Sequence, residues 1–161
     1  MGRDAQVYIE DVSPGDEIPA LVKNCSPRQL VMWAAASGDF YEIHYDVEHA
    51  RSIGLPGLVV HGALKNAFLG QLLHDWAAPA GRIVRYGCSY RGMDYPGQDL
   101  TCRGTVSRVI DRDGERMAEL EIWVEQPTGE ITTPGTALVA LPSRSDQARV
   151  DRARADREVP A

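Results

Sequence analysis

The run Val60 to Trp76 constrains this chain more than any other stretch. Val60, Ala63, Leu64, Ala67 and Phe68 follow the i, i+3, i+4, i+7 spacing of an amphipathic helix. Leu69, Leu72, Leu73 and Trp76 then widen the apolar stripe beyond one face. A helix apolar over so much of its girth cannot simply lie on a surface, and something must wrap it.

The wrapping material follows in sequence. From Arg82 the pattern changes to strand-like segments at about 82–92, 99–110, 116–126 and 131–141. Tyr95-Pro96-Gly97, Asp111-Arg112-Asp113-Gly114 and Pro127-Thr128-Gly129 separate them with turn chemistry. Upstream, Val12-Ser13-Pro14-Gly15-Asp16 reads as a turn beside a short early strand. Ser26-Pro27-Arg28-Gln29 offers an N-cap hydroxyl, a proline at the first helical position and a capping-box glutamine for a helix ending at Gly38. A short helix from about Asp46 to Ser52, capped by Asp46, stops at Gly54-Leu55-Pro56-Gly57. These elements describe an α+β layer in which an antiparallel sheet curls round a central helix, the hot-dog architecture.

With 161 residues, 43% apolar and 25% charged, the chain suits one domain, assigned to residues 1–142. Residues 143–161 alternate Arg and Asp with few large apolar groups and read as a solvated tail. The net charge of −6 disfavours nucleic acid as a partner. No apolar run reaches the roughly 20 residues of a membrane span, and the start lacks a signal-peptide core, so a cytoplasmic location is expected. Gln6 occupies the position where a myristoylation signal wants Ser or Thr. Cys25, Cys88 and Cys102 are odd in number and have no CxxC spacing, which indicates neither a disulfide framework nor a zinc site.

Chemistry concentrates in Ser37-Gly38-Asp39-Phe40-Tyr41-Glu42-Ile43-His44-Tyr45-Asp46. Asp39 and His44 form a carboxylate and imidazole pair able to hold one water, take a proton from it and pass one on. Asp39 falls just past a helix end, where the chain is irregular and a side chain can be aimed. Gly62, at the first turn of the long helix, either presents an open backbone N–H to a developing negative oxygen or serves close packing. His61 beside it reads as a structural neighbour of the pair rather than a second base.

Taken together, these motifs resemble the MaoC-like family of hot-dog hydratases and dehydratases, which includes (R)-specific enoyl-CoA hydratases. Ser37-Gly38-Asp39, His44, Asp46 and Val60-His61-Gly62-Ala63-Leu64 match the family pattern, and the spacing of 18 from His44 to Gly62 matches as well. Ser89-Tyr90-Arg91 through Pro96-Gly97-Gln98-Asp99 is similar to the strand and turn that follow the helix. The resemblance spans about residues 8–142. It implies addition of water across the α,β double bond of an enoyl thioester, or the reverse dehydration. Asp39 and His44 would then activate the water, and the Gly62 N–H would hold the thioester oxygen. The substrate would be an acyl-CoA or an acyl-carrier thioester, with no metal and no separate cofactor. Tyr41, Tyr45 and His61 are candidate pocket residues, although both tyrosines suit packing of the loop equally.

Two departures stand out. Tyr41-Glu42 replaces the family's Asn-Pro, and Gly70 stands where some relatives carry a serine whose hydroxyl helps polarise the carbonyl. Lys65, Arg82, Arg85 and Arg91 are cations that could meet a phosphate-bearing arm. The resemblance also implies a homodimer or a heteromer with a related subunit. The alternatives are a non-catalytic acyl-binding subunit of such a heteromer and a hot-dog thioesterase, which would need a carboxylate on or near the long helix.

Overall fold

The computed structural model describes residues 6–112, 115–145 and 148. Its centre is α3 (Gly62–Ala77), preceded by β1 (Leu21–Asn24), α1 (Pro27–Ser37) and α2 (Val47–Ser52) and followed by β2 (Arg82–Cys88), β3 (Asp99–Arg112), β4 (Glu115–Glu125) and β5 (Ile131–Ala140). The five strands form one antiparallel sheet in the order β1-β3-β4-β5-β2. Leu64, Phe68, Leu69, Leu72, Leu73 and Ala77 of α3 are buried against Leu100, Val106, Leu120, Ile122, Val124 and Val139 of the sheet. Each such large apolar side chain contributes about 1.5–3 kcal/mol relative to exposure, so the wide stripe makes α3 the anchor of the α+β hot-dog fold.

The expected elements form, with shifted ends. Val60 belongs to extended chain before α3, because its N–H donates to the carbonyl of Asp94 at 2.8 Å instead of entering the helix. β2 stops at Cys88, short of residue 92. Beyond it Ser89 N–H still bonds Pro134 O, but Arg91 and Gly92 N–H groups both turn to Thr132 O, which ends regular pairing. Both N-caps form, Ser26 Oγ accepting from Gln29 N–H at 3.2 Å and Asp46 Oδ1 from Glu48 and His49 N–H groups at 2.9 and 3.0 Å, but the Gln29 side chain makes no return bond to Ser26 and the capping box is only half made. Asp113 and Gly114 of the expected β3–β4 turn lie outside the described residues.

Residues 146, 147 and 149–161 of the expected tail also lie outside them. The tail's first residues are docked: Arg144 pairs with Asp11 at 2.6 Å and lies over the Tyr8 ring, 4.9 Å from its centroid. Among the described residues, no helix is long and apolar enough to cross a membrane.

Candidate functional site

The site is built where α1 ends. Gly38 takes φ 77°, the left-handed conformation that caps a helix, and its N–H bonds Ala34 O at 2.9 Å. The Ser37 hydroxyl donates to Trp33 O at 2.8 Å and accepts from Asp39 N–H at 3.3 Å. This turn leaves the Asp39 carboxylate about half exposed. A 3-10 turn over Glu42–His44 then folds the chain back, and His44 is buried.

His44 Nδ1 lies 2.7 Å from Val59 O. A carbonyl can only accept, so Nδ1 carries the hydrogen, and the tautomer that holds only this hydrogen presents its Nε2 lone pair on the other side. That Nε2 is 3.9 Å from Asp39 Oδ2. Two acceptors at this separation make no direct hydrogen bond, and a water placed between them can donate one hydrogen to each. The interval suits one water molecule.

His61 lies beneath the pair and is fully buried. Its ring stacks on that of His44 with centroids 3.6 Å apart and planes inclined by 19°. Its Nε2 lies 3.3 Å from Asp39 O, and its buried Nδ1 has no partner. Burial, and then the neighbouring His44, hold the His61 imidazole below its ordinary value. A neutral platform under His44 therefore takes the place of an exposed pocket wall.

Asp39, His44 and His61 could each turn one ligand atom toward a shared point, all within 4.8 Å of one another. The ring placement is not that of a converging ligand pair: imidazole lone pairs lie in their ring planes, and rings stacked with centroids 3.6 Å apart and planes inclined by 19° do not aim them at one near point.

Gly62 opens α3, and among the described residues no group accepts from its N–H. A β-carbon on Gly62 would sit 3.0 Å from the Tyr90 ring, so packing and an open amide coincide at this glycine. Tyr90 begins a series. Cys88 Sγ donates to Asn66 Oδ1 at 3.3 Å, and Tyr86 places its hydroxyl 2.6 Å from where a Gly70 β-carbon would lie. Four helical residues rise about 6 Å and two strand residues about 6.6 Å, so Gly62, Asn66 and Gly70 meet Tyr90, Cys88 and Tyr86 in step. A hydroxyl does reach Gly70, from β2 and not from the helix itself.

Tyr45 donates its hydroxyl to Phe40 O at 3.0 Å and so ties the loop. Tyr41 is half exposed and stands edge-on to His44 and His49, with centroids 6.3 and 6.2 Å away. Tyr41 marks the rim of the site. Lys65 is not available to a phosphate: it is 2% exposed and bonded to Asp94 Oδ2 at 2.6 Å and to Gly92 O at 3.0 Å. Its position falls on the inward face of α3, with Phe68, Leu69 and Leu72. Arg82 pairs with Glu115. Sequence reasoning missed Asp94, Tyr86 and Tyr90. The one available signal was a lysine three, four and seven positions before Phe68, Leu69 and Leu72, on the apolar stripe of the helix.

A model of the MaoC-like domain matches residues 8–126. The fatty acid synthase beta subunit TOXC of Cochliobolus carbonum is 37% identical over 78 residues, which cover 47% of this chain and 4% of that protein. The fatty acid synthase subunit beta of Aspergillus oryzae is 29% identical over 136 residues, 73% of this chain and 7% of that protein. The chain therefore spans only a small part of these two relatives. The beta subunit of the 3-oxo-4,17-pregnadiene-20-carboxyl-CoA hydratase of Mycobacterium tuberculosis is 27% identical over 97 residues, 60% of this chain and 75% of that protein. Among solved structures, the (R)-hydratase of A. caviae superposes with a TM-score of 0.73 at 23% identity, covering 83% of this chain and 99% of that one. The ChsH1-ChsH2 complex of Mycobacterium tuberculosis does so with 0.70 at 22%, covering 81% and 98%. These superpositions share the α3-in-sheet arrangement described above, and the chain belongs to the MaoC-like domain family.

Proposed function

We propose that the chain hydrates the α,β double bond of an enoyl thioester, or dehydrates the 3-hydroxyacyl thioester in reverse, without a metal or a separate cofactor. The observation that carries this reading is the 3.9 Å interval between Asp39 Oδ2 and His44 Nε2. A water there has both hydrogens directed to acceptors, which turns its oxygen lone pairs outward toward a substrate. As that oxygen bonds the β-carbon, one of its protons passes to the dyad and the π electrons move through the α-carbon toward the thioester oxygen. The Gly62 N–H, with the positive end of α3 behind it, meets that oxygen. The dyad then returns its proton to the α-carbon, so one water is added and the enzyme is restored.

A thioesterase reading lacks support in α3. Its acidic residue, Asp75, is bonded to Gln71 thirteen residues beyond Gly62, about 20 Å along the helix. Assembly belongs to the proposal too: β2 is an edge strand of the sheet, and pairing with a second copy or a related subunit would cover it.

The test is turnover of trans-2-enoyl-CoAs of rising length and bulk, followed as loss of enoyl-thioester absorbance. Asp39→Asn and His44→Ala are expected to fold and to slow kcat by about 10² to 10⁴. Variants within tenfold of wild type would remove the dyad from the mechanism. An inactive wild type on every thioester, alone and mixed with a related hydratase subunit, would refute hydration.

A further inference from the structure

The mechanism leaves one buried charged group unused. Lys65 and Asp94 form an ion pair with side chains 2% and 0% exposed, at 2.6 Å. Asp94 Oδ2 also accepts from Thr132 Oγ1 at 2.7 Å, and Lys65 Nζ also donates to Gly92 O at 3.0 Å. Asp94 Oδ1 is buried with no partner. A hydrophobic pair of similar volume is often as stable as a buried ion pair, so stability alone is a weak reason for this one.

Its location supplies a reason. Lys65 lies in the first turn of α3, three residues after Gly62, and its N–H bonds His61 O. Asp94 reaches the same turn from the other side, because its carbonyl accepts from Val60 N–H at 2.8 Å. Gln126 Nε2 holds Met93 O at 2.9 Å, and Thr132 O takes the N–H groups of Arg91 and Gly92. The segment 91–94 is thus fastened to β5 and the β4–β5 turn, and Lys65 fastens α3 to that segment. Between the two points that Asp94 holds, Val60 and Lys65, lie His61 and Gly62, the ring under His44 and the open N–H.

We infer that the Lys65–Asp94 pair is a positioning clamp that fixes the Val60–Gly62 turn and thereby the direction of the Gly62 N–H toward the substrate oxygen. A charged pair suits this work because its direction and length are set by three hydrogen bonds, whereas an apolar contact can slide. The clamp deepens the hydratase reading and rests on it for its catalytic consequence.

The experiment compares wild type with Asp94→Asn, Lys65→Met and the charge-free double variant Lys65→Met/Asp94→Leu, with Arg108→Gln as a surface control. The double variant is included because either single change leaves a buried group unpaired and can unfold the chain. Amide hydrogen exchange is read at Val60, Leu64 and Lys65, the hydrogen-bonded amides on either side of the open Gly62 N–H, and kcat and KM on an enoyl-CoA that wild type turns over. In the folded double variant, exchange at these amides is expected to quicken at least about tenfold while β3 and β4 keep wild-type protection. kcat is expected to fall about 10- to 100-fold with KM within about twofold, as a misdirected donor in the transition state requires. Unchanged exchange at Val60, Leu64 and Lys65 overturns the clamp, whatever the activity. Faster exchange with unchanged kcat overturns its positioning role. A wild type that turns over no enoyl thioester sinks the hydratase reading separately, while exchange still decides whether the clamp exists.

Discussion

Gly70→Ala tests the packing of β2 on α3, and its outcome follows from two opposed terms. An alanine inside a helix is worth about 0.5–1 kcal/mol over glycine. Against that, the new β-carbon would lie 2.6 Å from Tyr86 Oη and 3.1 Å from Tyr86 Cζ. The first distance is roughly an ångström short of a comfortable contact at about 3.5 Å. The hydroxyl ends a rigid ring held in β2, so relief requires the ring or the strand to move, and overpacking of this kind costs about 1–3 kcal/mol. The net expectation is a loss of about 0.5–2 kcal/mol. In a Tyr86→Phe background the hydroxyl is gone, the 3.1 Å contact needs only a small adjustment, and the helix term dominates. Urea unfolding of the four proteins, followed by helical circular dichroism and tryptophan fluorescence, closes a double-mutant cycle. The coupling is expected to favour the double variant by about 1–2 kcal/mol. If Gly70→Ala stabilises both backgrounds equally, with coupling below about 0.3 kcal/mol, Tyr86 does not fill the space beside Gly70 and the argument fails.

Three further outcomes follow from the same geometry. His61 is held below its ordinary value chiefly by burial, so the unfolded chain binds the extra proton first; stability is then lost as pH falls below about 6.5, and wild type should lose Tm more steeply from pH 6.5 to 5 than His61→Phe, parallel curves being the refutation. Burial pushes the Cys102 thiol up to about 12, so iodoacetamide at pH 8 should label it only after unfolding, and labelling at the rate of a free thiol in the native protein would contradict its burial. Gly38→Ala meets no atom within 4 Å, yet it forces a β-carbon into φ 77°, so a cost of about 1–2 kcal/mol should appear in the urea midpoint, and an unchanged midpoint would mean that this turn relaxes freely.

The legible parts of this protein are those written in local patterns. The width of the apolar stripe from Val60 to Trp76 foretold a wrapped helix, because burial on several faces leaves a mark in composition that no later contact can erase. Ser26 and Asp46 cap their helices because a side-chain oxygen two or three residues from an orphan N–H needs no help from the rest of the chain. Motif spacing likewise indicated Asp39, His44 and Gly62 as residues to look at, although their distances were beyond it.

Lys65 marks the boundary. By residue type it is a surface cation, and sequence reasoning treated it as one. It is buried because Asp94, 29 positions away, is brought to it by a loop whose course is set by Thr132 on β5. The stacking of His61 under His44 and the approach of Tyr86 to Gly70 are of the same kind, each joining segments 16 or 17 positions apart. Local patterning specifies which elements form, where they begin and end to within a few residues, and which side chains carry reactive groups. Which of those side chains share a site is set by folding, because pairing across the sheet and the packing of β2 along α3 depend on register between distant segments, and register leaves no local signature.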